Sequence, residues 1–285
     1  MKKIFYFVLT CVSALSIGSC GLFGETNTEN DSDSLALDSI ALGDFEFKTR
    51  HVAFKDSLEQ NGVMVFYDVD LDVPVSGPAR LVSTVRKWID DKLGGSYEKG
   101  LNFDNDMLLY YANSYFQDCE DKGLFVGTGA SFTLKVSVVA NTANFVSYVA
   151  DGYDYTGGAH GLPFTIGATF VKDNGKTLGW DIFVDTTELA PLFKGGVATY
   201  FTSVNANDST LKHMNVDEFL FDDAKKSFPL PVTTPWLVDS GVSFIYGAYE
   251  IAPYAAGMPQ ATIPTAVAEK YLSDKAKKLL KKDVE

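Results

Sequence analysis

Every second residue over 63–73 is apolar, and this regular spacing limits the possible folds more than any other feature. The apolar positions are Val63, Val65, Tyr67, Val69, Leu71 and Val73. Successive side chains of a β-strand point to opposite faces of the sheet, so the pattern predicts a strand with one buried face. The chain therefore contains a sheet that is covered on one side.

Two segments after this strand show helical periodicity instead. Apolar residues recur at helical spacing in Ala79–Leu93, which Gly94-Gly95 closes, and again over 104–121. Cys119 falls on the apolar face of the second segment. We therefore expect Cys119 to be a buried core residue rather than a reactive thiol.

The rest of the chain continues to mix the two patterns. Strands are predicted over 131–139, 145–153 and 162–171, helices over 187–204, 216–228 and 266–282, and a hairpin turn at 239–241. No regular β–α–β rhythm is present. We therefore predict an α+β fold with two packed subdomains of mixed, mainly antiparallel sheet and helices on one face.

The amino terminus has the composition of a secretory signal. Two lysines precede an apolar run over 4–17, which is shorter than the roughly 20 residues of a membrane span. The segment Ile17-Gly18-Ser19-Cys20 resembles the lipobox of bacterial lipoproteins. This resemblance implies lipidation of Cys20 and cleavage before it. An ordinary cleaved signal with an incidental cysteine is the alternative.

These observations divide the chain into four parts. We predict a signal peptide over 1–19, a lipidated flexible linker over 20–44, an N-terminal module over 45–160 and a C-terminal module over 161–285. The linker is polar and acidic, with little apolar surface to bury. No Asp follows Cys20, which resembles outer-membrane sorting, so we expect an exported protein that is lipid-anchored to the cell envelope.

The net charge of −13 bears on the choice of partners. Nucleic-acid binding requires Lys and Arg to neutralise phosphates, so we expect no nucleic-acid partner. A negative field favours cationic partners instead. Solubility alone is the simpler explanation of the charge.

The most unusual segment is Tyr155-Thr156-Gly157-Gly158-Ala159-His160-Gly161. Glycines permit positive φ angles and close backbone approach, so the loop is a candidate for a concave donor site, although many glycine-rich segments are only turns. The imidazole of His160 has two possible roles. It either fixes the loop by bonding a nearby carbonyl or contacts a ligand.

A second segment, Tyr249-Glu250-Ile251-Ala252-Pro253-Tyr254, completes a resemblance. Together the two segments resemble the paired extracellular modules of RsiV-type anti-sigma receptors and PdaC-type peptidoglycan deacetylases. We expect neither the catalytic domain of the deacetylases nor the sigma-binding segment and membrane helix of the receptors. The resemblance implies binding of envelope material or of a protein such as lysozyme, and it does not imply catalysis.

The leading hypothesis is a non-enzymatic binding module without a cofactor, which recognises peptidoglycan-related glycan or a cationic protein such as lysozyme. Its predicted ligand-binding residues are Tyr155, Gly157, Gly158, His160, Glu250 and Tyr254. By alternation, Glu250 is expected on a strand, on the same face as Ala248 and Ala252.

Two other functions remain open. The three histidines of the chain show no metal-ligand spacing, so no metal site is predicted. His160 with Asp151 or Asp154 would nevertheless be the site of an envelope hydrolase or deacetylase. A structural envelope lipoprotein is the third interpretation.

Overall fold

The computed structural model describes residues 46–281 and shows two sheets and six α-helices in that range. The strands are β1 (Lys48–Gln60), β2 (Val63–Ser76), β3 (Ala130–Asn141), β4 (Phe145–Tyr155), β5 (Leu162–Val171), β6 (Thr177–Leu178), β7 (Trp236–Val238), β8 (Gly241–Ile245) and β9 (Gln260–Pro264). The α-helices are α1 (Ala79–Leu93), α2 (Asn105–Asp121), α3 (Ala190–Val204), α4 (Asp222–Lys226), α5 (Thr265–Ala268) and α6 (Asp274–Leu280), with 3₁₀ helices at Trp180–Ile182, Leu211–His213, Val216–Glu218 and Tyr254–Ala256. The predicted signal peptide and the whole of the predicted linker, including Cys20, lie outside the described residues.

The larger sheet has six strands in chain order, β1 to β6. Its neighbours pair antiparallel except β2 and β3, which run parallel from Val65↔Ala130 to Leu71↔Val136. A parallel pair needs a long crossover, and α1 and α2 supply it. Strands β7, β8 and β9 form the smaller, antiparallel sheet. The predicted α+β fold with mainly antiparallel sheet is confirmed.

Strand β4 is buried on both faces of the larger sheet. Val146, Tyr148 and Ala150 belong to the core that includes α1 and α2. The alternate residues face the other way: Phe145 joins the core around α3, and Val149 packs against Trp236. Helices α1 and α2 therefore cover one face of this sheet, and the second half of the chain covers the other.

Trp236 of β7 fixes the seam between the two sheets. A Cβ atom on Gly167 would lie 2.1 Å from the indole ring of Trp236, so only glycine fits there. Beside it, the backbone N–H of Leu237 donates to Thr169 Oγ1 at 2.8 Å, and Thr169 in turn bonds Ser147. The two sheets are thus joined by close packing and by a buried polar contact.

Three of the predicted helices differ from the observed ones. The helix predicted over 187–204 begins later, at α3. The segment 216–228 is a 3₁₀ turn followed by α4, and 266–282 contains α5 and α6 with a break between them. The break has a local cause, because the Ser273 side chain accepts from Ala276 N and caps a new helix. Its backbone N–H also bonds Ile182 O, which holds the chain away from helical geometry.

Cys119 is 2% exposed and burial raises the pKa of its thiol, so the predicted buried role is confirmed.

Strand β1 was not predicted, because its mostly exposed side chains show no clear alternation. Asn61 and Gly62 connect β1 to β2 with φ angles of 56° and 77°. The module boundary after His160 stays a prediction, and the larger sheet continues across it through β5 and β6.

Candidate functional site

The glycine-rich loop connects β4 to β5. Gly157 and Gly158 have φ angles of 93° and 92°, which other residues rarely adopt. Both are exposed, and a Cβ atom on either would meet no other atom within 4 Å. The two glycines are therefore required by the backbone conformation and not by crowding.

His160 is exposed and is held by its neighbours in three ways. Its ring stacks on the Tyr254 ring, with centroids 3.8 Å apart and an interplanar angle of 19°. Its Nδ1 lies 3.0 Å from Gly161 O, and its Nε2 lies 3.1 Å from Tyr249 Oη. We call His160, Tyr249 and Tyr254 the aromatic site.

The hydrogen bonds of His160 define its tautomer when it is neutral. The carbonyl of Gly161 only accepts, so Nδ1 carries the proton in that bond. Nε2 then accepts from the Tyr249 hydroxyl. The interpretation that the imidazole bonds a nearby carbonyl is confirmed, and the exposed ring also leaves room for contact with a ligand.

The backbone groups of Gly161 hold the loop in position through hydrogen bonds. Its N–H donates to Tyr153 Oη at 2.8 Å, and its carbonyl also accepts from Tyr254 Oη at 3.1 Å. A Cβ atom on Gly161 would lie 2.5 Å from the Tyr153 ring. Tyr153 and Tyr254 therefore fix the position of Gly161, the residue after His160.

Tyr249 is the member of the site that sequence reasoning missed. It is 50% exposed and has a φ angle of 65°, unusual for a residue other than glycine. Its ring lies 5.5 Å from the Tyr254 ring. The position of Tyr249 next to Glu250 in the second segment could have indicated its role. Because that segment was predicted to be a strand, nothing in the prediction singled out Tyr249.

Glu250 does not lie on a strand, so the prediction that it shares a strand face with Ala248 and Ala252 is wrong. It sits in a turn after β8, where its carboxylate accepts from Gly247 N at 2.6 Å and from Val232 N at 2.7 Å. Burial raises the pKa of the Glu250 carboxyl, and the two amide bonds oppose that shift. The carboxylate holds the turn that presents Tyr249, and its role in ligand binding stays a prediction.

Tyr155 contacts the other end of the loop. Its hydroxyl lies 2.7 Å from Thr128 Oγ1 and donates to Gly158 O at 3.1 Å. These bonds tie the loop to the segment before β3. Of the predicted residues, His160 and Tyr254 are in direct contact. Tyr155 stabilises the loop that contains His160, and Glu250 stabilises the turn that precedes Tyr254.

The carboxylates of the hydrolase interpretation have other partners. Asp151 accepts from Thr165 Oγ1 at 2.7 Å. Asp154 accepts from Tyr115 Oη at 3.3 Å, and burial raises the pKa of the Asp154 carboxyl. Within residues 46–281, no group of three or more His, Cys, Asp or Glu is arranged to hold a metal ion. In the same range, no helix has the length and apolar character needed to cross a membrane.

Two family models match the chain. The model described as "Deacetylase PdaC" matches residues 67–163, and the model described as "Protein of unknown function (DUF3298)" matches residues 181–266. A search of curated protein sequences finds no match.

Two solved structures are similar to this one. A DUF3298-family protein from Bacteroides fragilis has a TM-score of 0.62 and 18% identity, over 81% of this chain and 96% of that one. A DUF3298-family protein from Pseudomonas aeruginosa has a TM-score of 0.55 and 19% identity, over 82% of this chain and 97% of that one. At these sequence identities, the similarity shows only that the three proteins share a fold.

The first match covers most of the larger sheet with α1 and α2, and the second covers α3 and the smaller sheet. The His160 loop lies within the first match, and Tyr249 and Tyr254 lie within the second. Residues 67–163 therefore match a PdaC-type domain and residues 181–266 match a DUF3298 domain, as the resemblance of the motifs predicted.

Proposed function

We propose that this protein is a non-enzymatic binding module of the cell envelope and that the aromatic site makes the contact. The PdaC and DUF3298 domains indicate an envelope-associated module. The observation that carries the proposal is the stacked pair of His160 and Tyr254 with the exposed ring of Tyr249 beside it.

The chemistry of the site fits a glycan of the peptidoglycan type. Aromatic side chains offer a flat apolar face and, in Tyr and His, a polar edge. A sugar ring has the same two features, with C–H groups on its faces and hydroxyls at its rim. Because Tyr153 and Tyr254 are both already hydrogen-bonded to Gly161, little conformational freedom is lost on binding.

A cationic protein such as lysozyme is the second candidate ligand, and the net charge of −13 favours it. Charge of this size speeds the encounter of opposite charges, and the effect weakens as salt is added. The two ligands therefore differ in salt dependence: binding of an uncharged glycan changes little with salt, whereas lysozyme binding weakens.

The test is a pull-down with purified peptidoglycan and with lysozyme at low and high salt, using the full chain. Tyr249→Ala is the test variant and Phe66→Ala is the control, because the two side chains are 50% and 49% exposed. We expect binding to fall at least tenfold in Tyr249→Ala and to stay unchanged in Phe66→Ala. Equal binding by both variants would remove the aromatic site from the proposal.

The rival enzymatic function is tested on the same material. Release of acetate or of cleaved muropeptides from peptidoglycan, lost in His160→Ala and Asp154→Asn, would replace binding with catalysis. The absence of product, together with binding that depends on Tyr249, supports the binding module.

Anchoring through Cys20 is part of the proposal and is tested separately. The full chain with Cys20→Ser is expected to leave the membrane fraction, because lipid on Cys20 is the proposed tether. Unchanged membrane association of this variant would contradict lipidation at Cys20.

A further inference from the structure

A second open feature lies away from the aromatic site, between α3 and the outer edge of β9. It is a groove with a volume of about 660 Å³. Helix α3 contributes one wall, including Gly195, Thr199 and Ser203, and β9 contributes the other along its whole length. None of the residues that line this groove in the described chain carries a formal charge.

Strand β9 is an edge strand of the smaller sheet, since it pairs only with β8. The bonds from Tyr246 N to Pro259 O and from Thr265 N to Ser240 O set which residues of β9 face β8. Backbone groups of an antiparallel strand alternate in direction, so those of Gln260, Thr262 and Pro264 point away from the sheet. The groove thus contains outward N–H groups on Gln260 and Thr262 and outward carbonyls on all three residues.

The helix wall is set by two adjacent glycines with different surroundings. A Cβ atom on Gly196 would lie 2.7 Å from the Phe244 ring and 3.0 Å from Ala261, so Gly196 lets α3 approach the sheet closely. A Cβ atom on Gly195 would meet nothing within 4 Å. Gly195 therefore leaves the wall of the groove bare at its centre.

We propose that this groove binds an extended segment of a partner protein, which adds to β9 as a fourth strand of the smaller sheet. An unpaired strand edge next to a helix supports this mode, because the edge supplies backbone hydrogen bonds and the groove supplies side-chain pockets. The apolar, uncharged walls select small or branched apolar side chains. The negative net charge of the chain, −13, favours a partner segment with basic residues on either side of its apolar part.

A second copy of this chain fits the groove less well. Two copies joined edge to edge through β9 would bring two concave surfaces together and leave a gap between the α3 helices. A single extended segment fills the groove and uses the outward groups of Gln260 and Thr262.

This proposal does not depend on the function of the aromatic site. The two features share no residue, although the Tyr200 hydroxyl in the groove donates to Ala256 O, in the 3₁₀ turn that also contains Tyr254. Loss of one binding activity with retention of the other distinguishes failure of this proposal from failure of the first.

The probe is a set of nine-residue peptides with two lysines at each end and five central positions drawn from Ala, Val, Ile, Leu and Thr. Binding is measured by fluorescence anisotropy and by hydrogen exchange of the protein's amides. We expect selected peptides to slow exchange at Gln260 and Thr262. The same peptides with N-methyl groups on alternate central residues are expected to lose at least tenfold in affinity, since they lack strand donors.

Gly195→Leu is the test variant in the protein, and Thr202→Leu on an exposed position of α3 outside the groove is its control. Leucine has a higher helix propensity than either glycine or threonine, so both variants are expected to fold. Gly195→Leu fills the groove and is expected to weaken peptide binding at least tenfold, while Thr202→Leu leaves it unchanged. Three results would overturn the proposal: no peptide that protects Gln260 and Thr262, equal binding by the two variants, or protection that arises only from self-association in sedimentation.

Discussion

Two clusters of aromatic rings in this molecule differ in what surrounds them. In the first, Trp88 and Tyr148 pack on Phe170, with centroid distances of 5.9 and 6.2 Å. Tyr148 and Phe170 are fully buried between the larger sheet and α1. The main contribution of Tyr148 and Phe170 is hydrophobic, because both rings are removed from water on all sides, whereas Trp88 is partly buried.

The second cluster is the aromatic site, and there the rings are fixed by polar contacts instead. His160, Tyr249 and Tyr254 are joined by ring stacking and by hydrogen bonds to one another and to Gly161. Aromatic content alone therefore does not mark a binding site. A cluster is a candidate for recognition where its rings are held in place and remain partly exposed to water.

The largest expected effect comes from breaking the buried cluster. Phe170→Ala removes a fully buried ring and leaves a cavity, so we expect it to lower the free energy of unfolding by about 3–5 kcal/mol. Urea denaturation followed by circular dichroism measures the change. A loss below about 1 kcal/mol would mean that the core relaxes into the cavity and that the cluster is not tightly packed.

A smaller effect is expected at the seam that joins the two sheets. Gly167→Ala places a methyl group in the position of the Trp236 ring, and overpacking of this kind costs about 1–3 kcal/mol. Gly195→Ala is the control, since its new methyl group enters open space in a helix. We expect Gly195→Ala to match or exceed the wild-type stability in the same urea measurement. Equal stability of the two variants would show that the seam adjusts freely.

The same substitution in the two clusters is expected to change stability in opposite directions. Within the described residues, the buried Tyr148 hydroxyl has no hydrogen-bond partner, so Tyr148→Phe is expected to raise the free energy of unfolding by about 1 kcal/mol. Tyr254→Phe loses the bond to Gly161 and is expected to lower it by about 0.5–1.5 kcal/mol. Thermal unfolding of both variants gives the signs, and a shared sign would contradict the comparison.

The smallest expected effect is a pH dependence at Glu250. Burial raises the pKa of this carboxyl in the folded state, so the folded protein binds more protons than the unfolded one between the ordinary and the raised values. The contribution of Glu250 to stability therefore falls as pH rises through that window. The difference in unfolding free energy between wild type and Glu250→Gln, measured from pH 4 to pH 7, is expected to fall as pH rises. A difference that rises with pH would show that the amide bonds of Gly247 and Val232 outweigh burial.

Patterns of neighbouring residues predicted much of the fold. The alternation of 62–73 became β2, and the helical spacing of 104–121 became α2, capped by Asp104. These predictions succeeded because periodicity reports directly which side of an element is buried. The prediction failed for 266–282, where a cap at Ser273 and its bond to Ile182 divide the helix.

The sequence by itself determined the conformation of the loop at Gly157 and Gly158, because only glycine adopts their φ angles easily. It also selected His160 and Tyr254 as members of one site, through their motifs. Only the tertiary structure decided that Tyr249 joins them. The Tyr249 hydroxyl bonds to His160, which is 89 residues away in the sequence. Tyr249 lies in a turn where its φ angle is positive, and the Glu250 carboxylate stabilises that turn. No local pattern encodes that contact, because it depends on how the smaller sheet packs against the larger one.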